Sequence, residues 1–114
     1  YVQPTGNPDL YLADLKQNGG RSELVGKICN QGDSMTVSRQ VTVRATNSQY
    51  NTTAATYVQL LKGGCTDISI PTANLNFNWF AGTNYLVYAE VDIYNNVQET
   101  REDNNASYWR IQIQ

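Results

Sequence analysis

Apolar residues recur at every second position through most of the chain, and each such run ends at a cluster of Gly, Asn or Pro. Leu10, Leu12 and Leu15 predict a strand over 9–16, with a slip in the alternation near Asp14. Leu24, Gly26 and Ile28 alternate with Val25, Lys27 and Cys29 and predict a second over 22–30; Val37, Val41, Val43 and Ala45 predict a third over 37–46. A polar loop from Thr46 to Thr53 precedes a fourth strand over 55–62, marked by Tyr57, Val58 and Leu60. Ile68 and Ile70 open a fifth segment that is interrupted at Pro71 and resumes through Leu75, Phe77 and Trp79. The clearest alternation spans 84–93, with Tyr85, Val87, Ala89 and Val91 on one face and Leu86, Tyr88 and Glu90 on the other. Tyr108 to Ile113 sets Trp109, Ile111 and Ile113 against Tyr108, Arg110 and Gln112. Period-two patterning between turn residues is the signature of half-buried strands. No window sustains a helical period. Seven short strands with breaks at regular intervals predict an all-β, seven-stranded β-sandwich whose two sheets turn their apolar faces inward.

The chain has 114 residues, the size of one domain and long enough to bury a two-layer core. The opening stretch Gln3-Pro4-Thr5-Gly6-Asn7-Pro8 reads as a linker, so 1–8 is assigned to the end of a preceding segment and 9–114 to the sandwich. Charged residues make up only 16%, and the polar surface is built from Asn, Thr, Gln and Ser, a profile common in exported proteins. Net charge is −2 and the basic residues are scattered from Lys16 to Arg110, which excludes the clustered Lys and Arg of a nucleic-acid face. No apolar run reaches the roughly 18 residues of a membrane-spanning helix.

The two cysteines sit at comparable places in the strand layout. Cys29 ends the second strand; the third strand leaves that pole and the fourth returns, bringing Cys65 back beside it. A disulfide between them is expected, with two free buried thiols as the alternative; the bond would lie outside the main core because Cys29 has the opposite parity to Leu24 and Ile28. Such a bond favours an oxidising, extracellular compartment.

Three segments then come together. Pro8-Asp9-Leu10 opens the first strand, Lys27-Ile28-Cys29-Asn30-Gln31-Gly32 closes the second, and Val91-Asp92-Ile93-Tyr94-Asn95-Asn96-Val97-Gln98-Glu99-Thr100-Arg101-Glu102-Asp103-Asn104-Asn105 leads to the last. The set resembles the CARDB domain, a cell-adhesion-related domain found in bacteria, over residues 8–113. The resemblance implies an immunoglobulin-like sandwich, often in tandem, on secreted or surface proteins of bacteria and archaea. The two cysteines and the long stretch from Thr66 to Phe80 depart from the family pattern.

Two constellations are candidate sites. Asp92, Asn95, Glu99, Glu102, Asp103, Asn104 and Asn105 form an acidic and amide-rich stretch with enough oxygens for Ca²⁺, although no regular Ca²⁺-loop spacing is present. The alternative is a structural turn, in which Asp92, Asn104 and Asn105 bond nearby backbone groups. Trp79, Tyr88 and Tyr57 are candidates for a sugar platform, and packing is the alternative for each, since buried aromatics keep one polar tip. Trp109 goes to the core by parity and Tyr88 to the outer face.

Catalytic sites are hard to assemble. The sequence contains no His, which removes Ser-His-Asp and Cys-His pairs, and two Cys are too few for a typical structural zinc site. The expectation is therefore a non-catalytic module of an extracellular protein, working by adhesion, assembly or spacing. A carbohydrate-binding module and a filament or stalk subunit without a soluble ligand are the alternatives. Expected partners are neighbouring domains of the same protein and an extracellular protein or glycan.

Overall fold

The computed structural model describes residues 7–17, 23–77, 80–94, 97 and 106–113. Among these residues seven strands follow one another: β1 (Leu10–Gln17), β2 (Glu23–Asn30), β3 (Arg39–Asn47), β4 (Tyr50–Val58), β5 (Cys65–Pro71), β6 (Asn84–Val91) and β7 (Ala106–Gln112). They form two antiparallel sheets, a three-stranded one ordered β1-β2-β5 and a four-stranded one ordered β4-β3-β6-β7. This is the two-sheet sandwich that the patterning predicted, in the immunoglobulin-like form that the resemblance implied.

The core lies between the sheets. Leu10, Leu24, Ile28 and Ile70 from one sheet meet Val41, Val43, Ala45, Val87, Ala89 and Ile111 from the other, each nearly or fully buried. Burying side chains of this size contributes about 1.5–3 kcal/mol apiece and is the main drive for closing the two layers. The slip expected near Asp14 is a bulge: the register with β2 shifts between Leu12 and Asp14. Asp14 turns its carboxylate back onto the Leu15 N–H at 2.9 Å there.

Two segments differ from the sequence expectation. β4 begins at Tyr50, well before residue 55, because Ser48 and Gln49 make a tight turn with Ser48 at φ 60°. Asn51 to Thr53, which look like loop, pair instead with Thr46 to Arg44 of β3. Polar residues suffice because β4 is an edge strand with one face toward water. Among the described residues between Pro71 and β6 the chain does not resume as a strand. It turns, with the Leu75 N–H donating to the Thr72 carbonyl at 2.9 Å, and Leu75 and Phe77 drop into the core from irregular backbone. Phe77 stacks on Tyr85, ring centroids 4.5 Å apart. Val37, assigned by pattern to the third strand, precedes β3 and is exposed.

The registers set the poles. Leu10 pairs with Asn30 and Cys29 with Cys65, so the start of β1, the end of β2 and the start of β5 share one pole. Gln112 pairs with Asn84, and Tyr88 with Thr46 near the end of β3, so β7 ends at the other pole. The folded chain therefore runs from pole to pole.

Candidate functional site

The first pole is organised by one side chain. Asn30 ends β2 fully buried, and its amide makes four hydrogen bonds. Oδ1 accepts the N–H groups of Asp9 and Gly32, each at 2.9 Å. Nδ2 donates to the Asp33 carbonyl at 2.8 Å and to the Leu60 carbonyl at 3.1 Å. The Asn30 backbone is bonded too, its N–H to the Gly64 carbonyl and its carbonyl to the Gly63 N–H. A primary amide offers two acceptor sites and two donors, and here all four are used.

The leading segment is strapped to this hub. The Gln31 N–H donates to the Asp9 carbonyl, the Asp33 N–H to the Asn7 carbonyl, and Gln31 Nε2 to Asp9 Oδ2 at 2.8 Å. Asn7 and Pro8, assigned to the linker by composition, are thus part of the packed pole, and Pro8 is buried. Gly32 permits the approach: a Cβ there would stand 2.7 Å from the Asp9 nitrogen and 2.9 Å from the Asn7 oxygen. Beside the hub, Cys29 and Cys65 form a disulfide directly across β2 and β5. Cys29 is buried, Cys65 is exposed, and the bond lies outside the hydrophobic cluster.

The second feature is the outer face of the four-stranded sheet. Cross-strand register lines up Asn51, Thr46, Tyr88 and Tyr108 in one row, and Thr53, Arg44, Glu90 and Ala106 in the next. The Tyr88 and Tyr108 ring centroids are 4.7 Å apart with planes inclined at 50°. Tyr108 and Leu86 are largely exposed, and with Tyr88, Thr46, Asn47 and Ser48 they line an open depression. Arg44 grips Glu90 with two hydrogen bonds, Nε to Oε1 at 2.9 Å and Nη2 to Oε2 at 3.1 Å. The bond to Glu90 and its negative charge hold the Arg44 guanidinium above its ordinary pKa; burial lowers it, and Tyr94 and Tyr88 raise it further. The ion pair sets Arg44 against Glu90 on this face, and exposed Arg110 stands directly opposite Leu86 on the same face.

Of the sequence candidates for a sugar platform, Tyr57 and Tyr88 do not lie side by side. Tyr57 lies on the same outer face but opposite Gln40, six residues along β3 from the Thr46 row, which at strand rise is about 20 Å from Tyr88. Trp79 lies outside the described residues. Trp109 is half-buried against the core, its indole N–H donating to Ser107 Oγ at 2.7 Å. Of the acidic stretch, Asn95, Glu99, Glu102, Asp103, Asn104 and Asn105 also lie outside the described residues. Asp92 is buried, at φ 57°, and its Oδ2 accepts the Val97 N–H at 3.0 Å. Among the described residues no group of three or more metal-ligating side chains converges. Tyr108 and Leu86 were not singled out by sequence; their outward parity was visible, but their neighbours depend on strand order. Asn30 was visible only within the segment that closes the second strand and carries part of the resemblance.

No family model matches the sequence, and no curated protein matches it significantly. Solved structures do share the fold. The CARDB domain of a Pyrococcus furiosus protein, solved in complex with di-metal ions, is similar with a TM-score of 0.58 and 18% identity, over 97% of this chain and 93% of that one. A domain assigned to a cell surface protein of Methanosarcina acetivorans is similar with a TM-score of 0.67 and 20% identity, over 95% of this chain and 93% of that one. The fold is thus that of an immunoglobulin-like sandwich, shared over nearly the whole chain with a CARDB domain and with a domain of a cell surface protein.

Proposed function

We propose that the chain is a non-catalytic extracellular module of a larger surface or secreted protein, serving adhesion, assembly or spacing. The observation that carries this reading is the likeness of fold, over nearly the whole chain, to a CARDB domain and to a domain of a cell surface protein. Three features of this chain support it. The path from pole to pole suits a module set in a row with others. The Cys29–Cys65 bond suits an oxidising compartment. The absence of His removes Ser-His-Asp and Cys-His pairs. We read Asp92 as a turn-forming residue, because its carboxylate is engaged with the Val97 N–H.

In this reading the contact surface is the outer face around Leu86, Tyr88 and Tyr108. Exposed aromatic and aliphatic side chains beside hydroxyls and amides, with Arg110 opposite Leu86, fit the composition of a protein interface. Carbohydrate binding is the second reading, favoured by Tyr108 standing exposed beside Thr46, Asn47 and Ser48. The 50° tilt between the two tyrosines provides a single stacking surface and not a flat two-ring platform.

The test is binding of the isolated, disulfide-intact domain to a panel of matrix proteins and glycans, with Tyr108→Ala and Leu86→Ala alongside. Protein binding lost in both variants supports the adhesion reading. Glycan binding lost in Tyr108→Ala but kept in Leu86→Ala selects the carbohydrate module. Binding unaffected by either substitution removes this face from the account.

A further inference from the structure

The edge of a sheet presents a row of N–H and C=O groups without partners, open to pairing with another chain. The sandwich has four edges: β1 and β5 in one sheet, β4 and β7 in the other. Three of them carry features that discourage pairing. β1 is broken by the bulge between Leu12 and Asp14 and carries Asp14 and Lys16. β5 carries exposed Asp67 and ends on Pro71. β7 carries exposed Arg110 in its middle.

β4 carries none of these. It is a 9-residue strand without Pro or Gly, and its register with β3 is unbroken from Arg39 opposite Val58 to Asn47 opposite Tyr50. From Ala45 through Leu61 the chain contains no charged residue. Its composition, Tyr-Asn-Thr-Thr-Ala-Ala-Thr-Tyr-Val, is rich in β-branched and aromatic residues. Among the described residues, no backbone hydrogen bond other than those to β3 reaches it.

We propose that β4 is an assembly edge at which a second copy of this chain adds antiparallel, β4 against β4 about a two-fold axis, joining the four-stranded sheets of both copies into one. A two-fold contact requires a strand that complements itself. Any charge on such a strand meets like charge in some register, and β4 has none to meet. Pairing centred on Ala54 sets Thr52 across from Thr56 and Asn51 across from Tyr57 of the other copy, pairs that hydrogen bonding between side chains favours. The proposal rests on the assembly part of the function proposed above and supplies its partner.

Sedimentation equilibrium of the disulfide-intact domain from about 1 μM to about 1 mM tests it. The expected result is a monomer–dimer equilibrium, with β4 amides gaining hydrogen-exchange protection as concentration rises. Thr53→Lys and Ala55→Lys, both on the exposed outer face of β4, are each expected to weaken the dimer by about tenfold or more, while Ser69→Lys on the β5 edge changes it less than about twofold. Near-UV circular dichroism confirms that each variant is folded. A wild type that stays monomeric throughout, or a dimer that both β4 lysines leave unchanged, overturns the proposal. Either result leaves the outer-face binding test untouched, so failure here is separable from failure of the broader reading.

Discussion

Asn30 and Asp9 lie 21 residues apart in the chain and are bonded directly, the Asp9 N–H donating to Asn30 Oδ1 at 2.9 Å in buried surroundings. The same amide holds Gly32, Asp33 and Leu60. Asn30→Ala leaves those N–H and C=O groups without it at a buried pole. Each unsatisfied buried group costs about 1–3 kcal/mol, so a loss of about 3 kcal/mol or more is expected. Asn30→Asp is expected to fall in the same range, because it forfeits both donors. Urea denaturation checks both; a shift equivalent to less than about 1 kcal/mol would remove Asn30 from its place as hub.

Gly32 has a related requirement. All three of the nearest atoms to a Cβ at this position are backbone atoms, those of Asp9, Asn7 and Pro8. Nothing there can swing aside. Gly32→Ala is therefore expected to destabilise by about 1–3 kcal/mol through overpacking. Gly63, at φ 80° with open space around it, serves as the contrast: its substitution by Ala costs about 1–2 kcal/mol from backbone strain alone, and Asn there recovers part of the loss. Thermal melts of Gly32→Asn and Gly63→Asn separate the two causes, since Asn relieves only the second.

The disulfide closes a long loop, at a sequence separation of 36. Chain entropy then predicts about 4 kcal/mol of stabilisation, relative to the reduced protein. The paired substitution Cys29→Ala with Cys65→Ala is expected to lower stability by about 2–4 kcal/mol while leaving the strand content unchanged. Guanidinium titrations of the oxidised, reduced and double-substituted proteins measure this. A difference below about 1 kcal/mol would mean that the reduced, unfolded chain is already restrained.

Asp92 combines a left-handed backbone with a side chain that accepts the Val97 N–H. Asp92→Ala loses the hydrogen bond and keeps the strained φ, for an expected cost of about 2–3 kcal/mol. Asp92→Asn keeps an acceptor oxygen and tolerates the φ, so about 1 kcal/mol or less is expected. The order Ala worse than Asn, read from denaturation midpoints, is the result that matters. The reverse order would count against the turn role.

Arg44 and Glu90 sit across β3 and β6 with their side chains 41% and 26% exposed. Solvent screens a pair of this exposure, and a double-mutant cycle is expected to give about 0.5–1 kcal/mol of coupling, falling with added salt. The raised Arg44 pKa makes the cation's contribution full at all ordinary pH and lost only on passing upward through the folded-state value. No stability change between pH 6 and 9 is therefore expected from Arg44.

Much of the fold could be read from single residues. The alternation of Tyr85, Val87, Ala89 and Val91 fixes which face of β6 is inward, because side chains on a strand alternate strictly. The slip at Asp14 marked the bulge, and the layout of strands placed Cys29 near Cys65. Where local pattern and topology disagreed, topology prevailed. Asn51 to Thr53 are polar and look like loop, yet they form a strand because β3 offers hydrogen bonds and the outer face of an edge needs no apolar residues. Leu75 and Phe77 alternate like a strand, yet they reach the core from a turn. The candidate site was less accessible to sequence for the same reason. That Tyr88 faces outward follows from parity, but that its neighbour is Tyr108, with Tyr57 some 20 Å away, follows from strand order and register. The class of fold, the inward faces and the cysteine pair follow from local periodicity and spacing, and could be read before folding. That Asn30 is the hub of a pole, that β4 is the unguarded edge and which aromatics meet emerge on folding, because they depend on contacts between residues far apart in the chain.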